Sequence, residues 1–132
     1  MPKIPEREKR DHKIEAEISD EVREAIASPD SATWRNNVGQ LTDLYGNRVV
    51  YGLCVGSADL IRLQRVVLEC PCCKTELPPI GRLVAIETKT KTKKETPFQE
   101  HFRGLVNSLG GVAGVARSAP DALALVERAR RW

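Results

Sequence analysis

The sequence has few aromatic residues and no long apolar run. Phe, Trp and Tyr together make up 5% of its 132 residues, so a hydrophobic core must consist mainly of Val, Leu, Ile and Ala. No apolar stretch approaches the roughly 20 residues that cross a membrane, and residues 1–13 are too highly charged for a signal peptide. We therefore expect a cytoplasmic protein without a membrane segment, and its length suits one domain with a single core.

Charge of one sign is not in large excess either. The net charge is only +3, so the overall field is a modest argument for a nucleic-acid partner. The basic residues are concentrated locally instead, because Lys91, Lys93 and Lys94 stand close together after an apolar run. We interpret this stretch as a loop that contacts phosphates, with a solvated surface loop as the alternative.

The segment Gly81–Lys89 carries the main chemical signal. Its apolar run predicts a buried strand, and Glu87 and Lys89 at its end point to the same face because they are two residues apart. Asp59 follows a turn-like Gly56-Ser57 pair and precedes another apolar run. Two carboxylates and a lysine suit a magnesium site for phosphodiester hydrolysis. An incidental ion pair at an exposed strand end is the alternative.

The remaining pattern predicts an α/β domain with the element order α-β-β-β-α-β-α and a central mixed sheet. Residues 1–13 are expected to form a flexible charged leader, and the domain is expected to span residues 14–132. The first three strands are predicted as an antiparallel meander, and the fourth as parallel to a neighbour because a helix precedes it. The expected elements are a helix from Ile14, strands at 49–55, 58–67 and 83–88, a helix from Pro97, a strand at 112–116 and a helix capped by Ser118.

A cysteine-rich insertion at residues 68–80 separates the second and third predicted strands. Three of the four cysteines of the chain are Cys70, Cys72 and Cys73. The adjacent Cys72 and Cys73 cannot easily bind one tetrahedral ion together, and no His follows at zinc-finger spacing. Free thiols in a reducing compartment, a zinc knuckle completed by another subunit, and a redox-sensitive pair all remain open.

Five ordered blocks of the sequence resemble the VRR-NUC family, the virus-type replication-repair nucleases of the PD-(D/E)xK superfamily. Ala58 stands where the proline of the superfamily's name would be. The similarity runs from about Ile14 to the end of the chain, and its blocks are Trp34–Gly39, Gly56–Ile61, Gly81–Lys89, Thr96–Phe102 and Gly110–Ser118.

The resemblance implies a single restriction-endonuclease-like domain that cleaves DNA with Mg²⁺ or Mn²⁺. Asp59, Glu87 and the main-chain carbonyl of Thr88 would bind the metal. Lys89 would serve the nucleophilic water, and Gln99 would steady the site. Members of the family also carry a Glu near the metal on the first helix. Glu15 is our candidate for it, and the alternative is that this residue and the other glutamates of the helix face solvent.

The same resemblance implies a DNA partner, and branched DNA such as a Holliday junction, cut by a homodimer in a bacterium or a phage-infected host. Arg and Asn side chains bind phosphates, so Arg35, Asn36, Asn37 and Ser57 are further candidates for DNA contact. Two other classes of function stay open. One is a nucleic-acid-binding module without activity, and the other is a small zinc-binding interaction protein built on the cysteines.

Overall fold

The structure is a computed structural model that describes residues 6–131 of the chain and the side chains of residues 14–131. It contains three helices and six strands in this part of the chain. Their bounds, in chain order, are α1 Glu6–Ile26, β1 Ser31–Arg35, β2 Gly39–Thr42, β3 Arg48–Tyr51, β4 Leu60–Val66, β5 Ile80–Thr88, α2 Pro97–Ser108, β6 Val112–Ala116 and α3 Ala119–Arg130.

Four strands form one mixed sheet in the order β1-β4-β5-β6. β4 runs antiparallel to both β1 and β5, with Leu60 opposite Ile86. β5 and β6 are parallel, with Val84 opposite Val112, and α2 supplies the crossover that a parallel pair needs. The α/β class, the mixed sheet and the parallel last pair are therefore confirmed.

The sheet lies between two layers of helices. Successive side chains of β5 point to opposite faces, so Ile86 packs on one side and Ala85 on the other. The Ile86 side forms the larger core with α1 and α3, and it includes Val22, Ile26, Leu60, Val84, Val112 and Val126. The Ala85 side packs against α2, through Ala58, Ile61, Phe102, Val106 and Ala113.

The predicted three-strand meander is wrong in its first strand, whereas its second and third strands do pair antiparallel, as β4 and β5. The strand expected at residues 49–55 is shorter, and as β3 it pairs only with β2 in a separate two-stranded sheet. Gly46 allows the turn between them, with φ of 81° in the left-handed region. The edge of the main sheet is taken by β1, which was not predicted. Its pairing with β4 continues beyond the strand, because the main-chain N–H of Asn36 donates to the main-chain carbonyl of Asp59 at 2.7 Å.

The buried face of β4 contains a polar pair. Arg62 and Gln64 have no exposed surface, and on this face they stand between the apolar Leu60 and Val66. The Arg62 guanidinium donates to the Gln64 side chain at 2.8 and 3.0 Å and to the Ile26 carbonyl, at the end of α1, at 2.6 Å. Further bonds to the Ser28 and Thr33 hydroxyls occupy its remaining donors. Arg62 therefore ties the carboxyl end of α1 to the sheet.

Helix ends match the sequence signals unevenly. Thr96 and Pro97 begin α2 as predicted, with the Thr96 hydroxyl accepting from the Gln99 amide. Ser118 precedes α3 but makes no side-chain capping bond. α1 begins at Glu6, so residues 6–13 of the expected leader are helical and that part of the prediction is wrong. The remainder of the expected leader lies outside the described residues.

None of the helices in residues 6–131 combines the length and the apolar composition that a membrane crossing requires.

Candidate functional site

The carboxylate of Asp59 lies at the end of β5. It precedes Leu60, which pairs with Ile86, so antiparallel register places Asp59 beside Glu87. One Asp59 oxygen, Oδ2, accepts hydrogen bonds from the main-chain N–H and from the hydroxyl of Thr88, both at 2.9 Å. These two bonds fix the side chain at the position where the two strands end together.

The loop before Asp59 is held by Asn36 and Ser57. The side-chain amide of Asn36 donates through Nδ2 to the Ser57 hydroxyl at 2.7 Å and to the Ala58 carbonyl at 2.9 Å. The Ser57 hydroxyl donates in turn to the Cys54 carbonyl at 2.7 Å, and Ser57 is buried. Asn36 and Ser57 thus shape this loop, and their predicted contact with DNA stays a prediction.

Gly56 lets the same loop approach α2 closely. Its φ is 82°, and a Cβ atom at this position would lie 2.6 Å from the main chain of Phe98. Only glycine combines that backbone angle with that contact. The loop therefore packs directly on the first turn of α2, which carries Gln99.

Glu87 is held by Gln99 and Lys89. The Gln99 amide Nε2 donates to Glu87 Oε1 at 2.8 Å, while Gln99 Oε1 accepts from the Thr96 main chain at 2.8 Å. The capping box of α2 thus orients the amide toward the carboxylate. Lys89 Nζ lies 3.7 Å from the same Glu87 oxygen, and both side chains are buried. The predicted pairing of Glu87 with Lys89 is present in the structure.

The surroundings of Glu87 disfavour the ionised form of its carboxyl group, because Lys89 alone does not offset burial and the nearby Asp59. Burial raises its pKa to about 8, the neighbouring Asp59 adds to that shift, and Lys89 opposes it. The second oxygen, Oε2, is buried and has no hydrogen-bond partner. A buried carboxylate oxygen without a donor costs free energy, so this position favours an added cation or proton.

The site opens on one side into a cavity of about 260 Å³ between α1 and the strand ends. Asp59 and Thr88 face this cavity, whereas Glu87 faces a much tighter space near Gln99 on the α2 side. The alternation of β5 explains this division, and Asp59 stands where the two sides meet. The full lining of the cavity is Glu15, Ala16, Ser19, Arg35, Asn37, Asp59 and Thr88.

Glu15, our candidate among the glutamates of the first helix, therefore lines the same cavity as Asp59. Its carboxylate pairs with Lys93 at 3.2 Å, while Glu17, Glu21 and Glu24 are exposed on α1. Ser19, one turn further along and buried, also lines the cavity. Sequence reasoning missed Ser19, although its i+4 spacing from Glu15 is the signal that could have found it.

The residues present fit a hard divalent cation. Among residues 14–131, no group of three or more His, Cys, Asp or Glu side chains converges on one point. Mg²⁺ does not need such a group, because it is commonly held by one or two carboxylates together with substrate phosphates. Asp59 and the free Oε2 of Glu87 provide oxygen donors of that kind.

The lysine-rich loop lies beside the site and is held by an arginine that was not predicted. Arg117 Nη1 donates to the carbonyls of Thr90 and, at 2.7 Å, of Lys93. Lys91, Lys93 and Lys94 are exposed along this loop. The Arg117 contact spans more than twenty residues of sequence, so no local pattern could have indicated it.

Cys70, Cys72 and Cys73 lie apart from this arrangement, whereas Cys54 belongs to the loop before Asp59 through its main-chain carbonyl. All four are free thiols, and none lines the cavity at Asp59. Hydrogen bonds with Thr75, followed by one with Cys70, lower the pKa of the Cys73 thiol to about 7. The expectation that the insertion stands outside the candidate catalytic centre agrees with these positions.

Comparison with family models, with curated proteins and with solved structures gives no match for this chain. Its function is therefore inferred from the geometry of the site.

Proposed function

We propose that this chain is a metal-dependent deoxyribonuclease of the VRR-NUC type, within the PD-(D/E)xK superfamily. The observation that carries the proposal is the buried group at the end of β5. It combines Glu87, whose Oε2 has no partner, with Asp59, directly before the adjoining strand β4, and with the buried Lys89, whose Nζ lies 3.7 Å from Glu87 Oε1. Two carboxylates and a buried ammonium at one strand end are expensive to assemble and match the needs of phosphodiester hydrolysis.

In this proposal, Asp59 and Glu87 hold the cation, and the Thr88 carbonyl is the third protein ligand. When bound, Mg²⁺ or Mn²⁺ polarises the phosphate and lowers the pKa of a coordinated water. Lys89 orients the attacking water and offsets the negative charge that develops on phosphorus. Gln99 keeps Glu87 in place through its 2.8 Å bond. Glu15 borders the same cavity and supplies a further carboxylate near the metal.

The DNA backbone would lie over the opening of the cavity. Arg35 and Asn37 line that opening, and the exposed Lys91 and Lys94 extend it along the loop that Arg117 holds. These residues can bind phosphates without reading bases. A surface of this kind suits recognition of DNA shape, and we propose branched DNA as the substrate and a homodimer as the active form, working in the cytoplasm. A two-fold junction needs two active sites for symmetric cutting.

A panel of labelled DNAs tests the proposal. Linear, nicked, flap and four-way-junction substrates are incubated with Mg²⁺, Mn²⁺, Ca²⁺ or EDTA, using the parent and Asp59→Asn. We expect cleavage by the parent in Mg²⁺ or Mn²⁺, binding with little turnover in Ca²⁺, and no cleavage by the variant. Full activity of the dialysed parent in EDTA would contradict a metal-dependent mechanism. Tight binding without cleavage under any condition would favour a nucleic-acid-binding module without activity.

A further inference from the structure

The insertion between β4 and β5 forms a narrow two-stranded extension with the cysteines at its tip. Glu69 and Glu76 pair as an antiparallel bridge, and the Leu77 amide donates to the Leu68 carbonyl at 2.8 Å. These bonds continue the β4–β5 pairing beyond Val66. The extension has little core of its own, because residues 71–80 are all exposed.

The tip is a tight loop that carries Cys70 and Cys73, both free thiols. The Cys70 amide donates to the Thr75 carbonyl, and the Lys74 amide donates to the Cys70 carbonyl, both at 2.9 Å. Lys74 adopts φ of 60°, a left-handed conformation that a lysine takes at a cost. The loop closes in this way over the segment from Cys70 to Cys73, and the Cys73 thiol lies 3.2 Å from the Thr75 hydroxyl.

Cys70 and Cys73 have the C-x₂-C spacing of structural zinc sites, and such sites bind the metal through four ligands. Among residues 14–131, no third His, Cys, Asp or Glu side chain converges with them. Cys54 lies in another loop. Cys72 directly precedes Cys73, and two adjacent cysteine side chains cannot easily bind one tetrahedral ion together. The tip therefore offers two of the four ligands that a structural zinc site needs.

We propose that the tips of two copies of this chain bind one Zn²⁺ together, through Cys70 and Cys73 of each copy. The exposed position of the tip allows two extensions to meet end to end. Each tip carries Glu69, Glu76 and Lys74 and is therefore net negative. Without metal, the tips of two copies repel each other. Four thiolates around Zn²⁺ carry a net charge of about −2, which the two Lys74 ammonium groups can offset. Such a site crosslinks an extension that lacks a hydrophobic core.

Binding releases the protons of those thiols that are still protonated, and no oxidant is involved. The proposal is independent of the nuclease site, because it concerns only the extension. It predicts a metal-dependent dimer, whereas a homodimer held by other surfaces would persist in a chelator.

The test uses the full chain, reduced and reconstituted with Zn²⁺. Metal analysis and light scattering should give one Zn²⁺ per two chains and a dimer, and a strong chelator should return the monomer. Titration with Co²⁺ should produce the visible absorption of a tetrahedral tetrathiolate site. Cys70→Ser and Cys73→Ser should each abolish metal binding and the dimer. Cys72→Ser and Cys54→Ser are the matched controls, and each should behave as the parent.

Four results would overturn the proposal: no retained metal in the parent, one Zn²⁺ per monomeric chain, a dimer that persists after the metal is removed, or loss of binding by Cys72→Ser. Mass spectrometry of air-exposed protein checks the remaining alternative. A Cys70–Cys73 disulfide that forms while Zn²⁺ is present, seen as the loss of two hydrogens per chain, would assign the pair to redox chemistry instead. If a cysteine variant does not fold, as judged by its thermal melt, the Co²⁺ spectrum and stoichiometry of the parent decide.

Discussion

Replacing Glu87 by Gln should make the metal-free protein more stable at neutral pH. Glutamine keeps the shape of the side chain and an oxygen that can accept the Gln99 bond, and it removes the charge that burial and Asp59 disfavour. The pKa of Glu87 is about 8 in the folded protein, against an ordinary value of 4.5 for a glutamate side chain. Between these values the folded protein holds a proton that the unfolded chain has lost, so the parent becomes less stable as pH rises.

The size of the effect follows from this difference. Each unit of pKa corresponds to about 1.4 kcal/mol, so by pH 7 the parent should have lost about 3 kcal/mol relative to its stability below pH 4.5. Glu87→Gln has no carboxyl group at this position and should not lose this stability as pH rises. For a chain of this length, the melting temperature of the variant should exceed that of the parent by on the order of 10 °C at pH 7, and the gap should close as pH falls toward 4.5.

Thermal or urea unfolding in EDTA, followed across pH 4.5–8.5, measures the gap. Glu17→Gln, on the exposed side of α1, is the matched control and should follow the parent. Adding Mg²⁺ should stabilise the parent, by about 2.7 kcal/mol at a hundredfold excess over its dissociation constant, and should stabilise Glu87→Gln much less. Parallel pH curves for parent and variant in EDTA would refute the account of Glu87 as a buried, undercompensated carboxylate.

Three further variants test the surroundings of the site. Arg62→Met should lower the free energy of unfolding by about 3 kcal/mol in urea melts, because it leaves buried acceptors without donors; an unchanged midpoint would contradict the role given to this network. Arg117→Met should weaken DNA binding in a gel shift with Ca²⁺, because the lysine-rich loop loses its anchor, and parent-like affinity would show that the loop needs none. Substituting Cys70, Cys72 and Cys73 together by Ser should leave the cleavage rate of a linear DNA within about tenfold, and loss of activity in the folded variant would show that cleavage depends on the insertion, either within the site or through the dimer.

Local sequence patterns were sufficient to predict the relative positions of functional residues that lie close together in the chain. The two-residue period of a strand placed Glu87 and Lys89 on one face, and the structure has them 3.7 Å apart. The Thr96-Pro97 start of α2 also follows from sequence alone, and its capping box orients Gln99. In both cases the geometry depends on neighbours in the chain, so spacing alone could predict it.

Contacts between distant parts of the chain could not be predicted in this way. The sequence of β3, Arg-Val-Val-Tyr, favours a strand but does not say whether that strand joins the main sheet or a separate hairpin, because only pairing decides between the two. β1 is a short edge strand with one face exposed, so its composition gave little signal. Arg62 and Arg117 bind main-chain carbonyls far away in sequence, and such contacts are visible only in the folded chain.

The comparison of DNA cleavage with DNA binding in Lys89→Ala tests the central claim most directly. Lys94→Ala, an exposed lysine of the same region, is the control. Folded Lys89→Ala should cut the preferred substrate at least about a hundredfold more slowly in Mg²⁺, equivalent to roughly 3 kcal/mol of lost transition-state stabilisation. Its gel shift in Ca²⁺ should match the parent, because binding depends on dispersed phosphate contacts, and Lys94→Ala should keep the parent's rate of cleavage at saturating enzyme. A folded Lys89→Ala protein that cuts at the parent rate would contradict the account and reduce the pair with Glu87 to a structural ion pair.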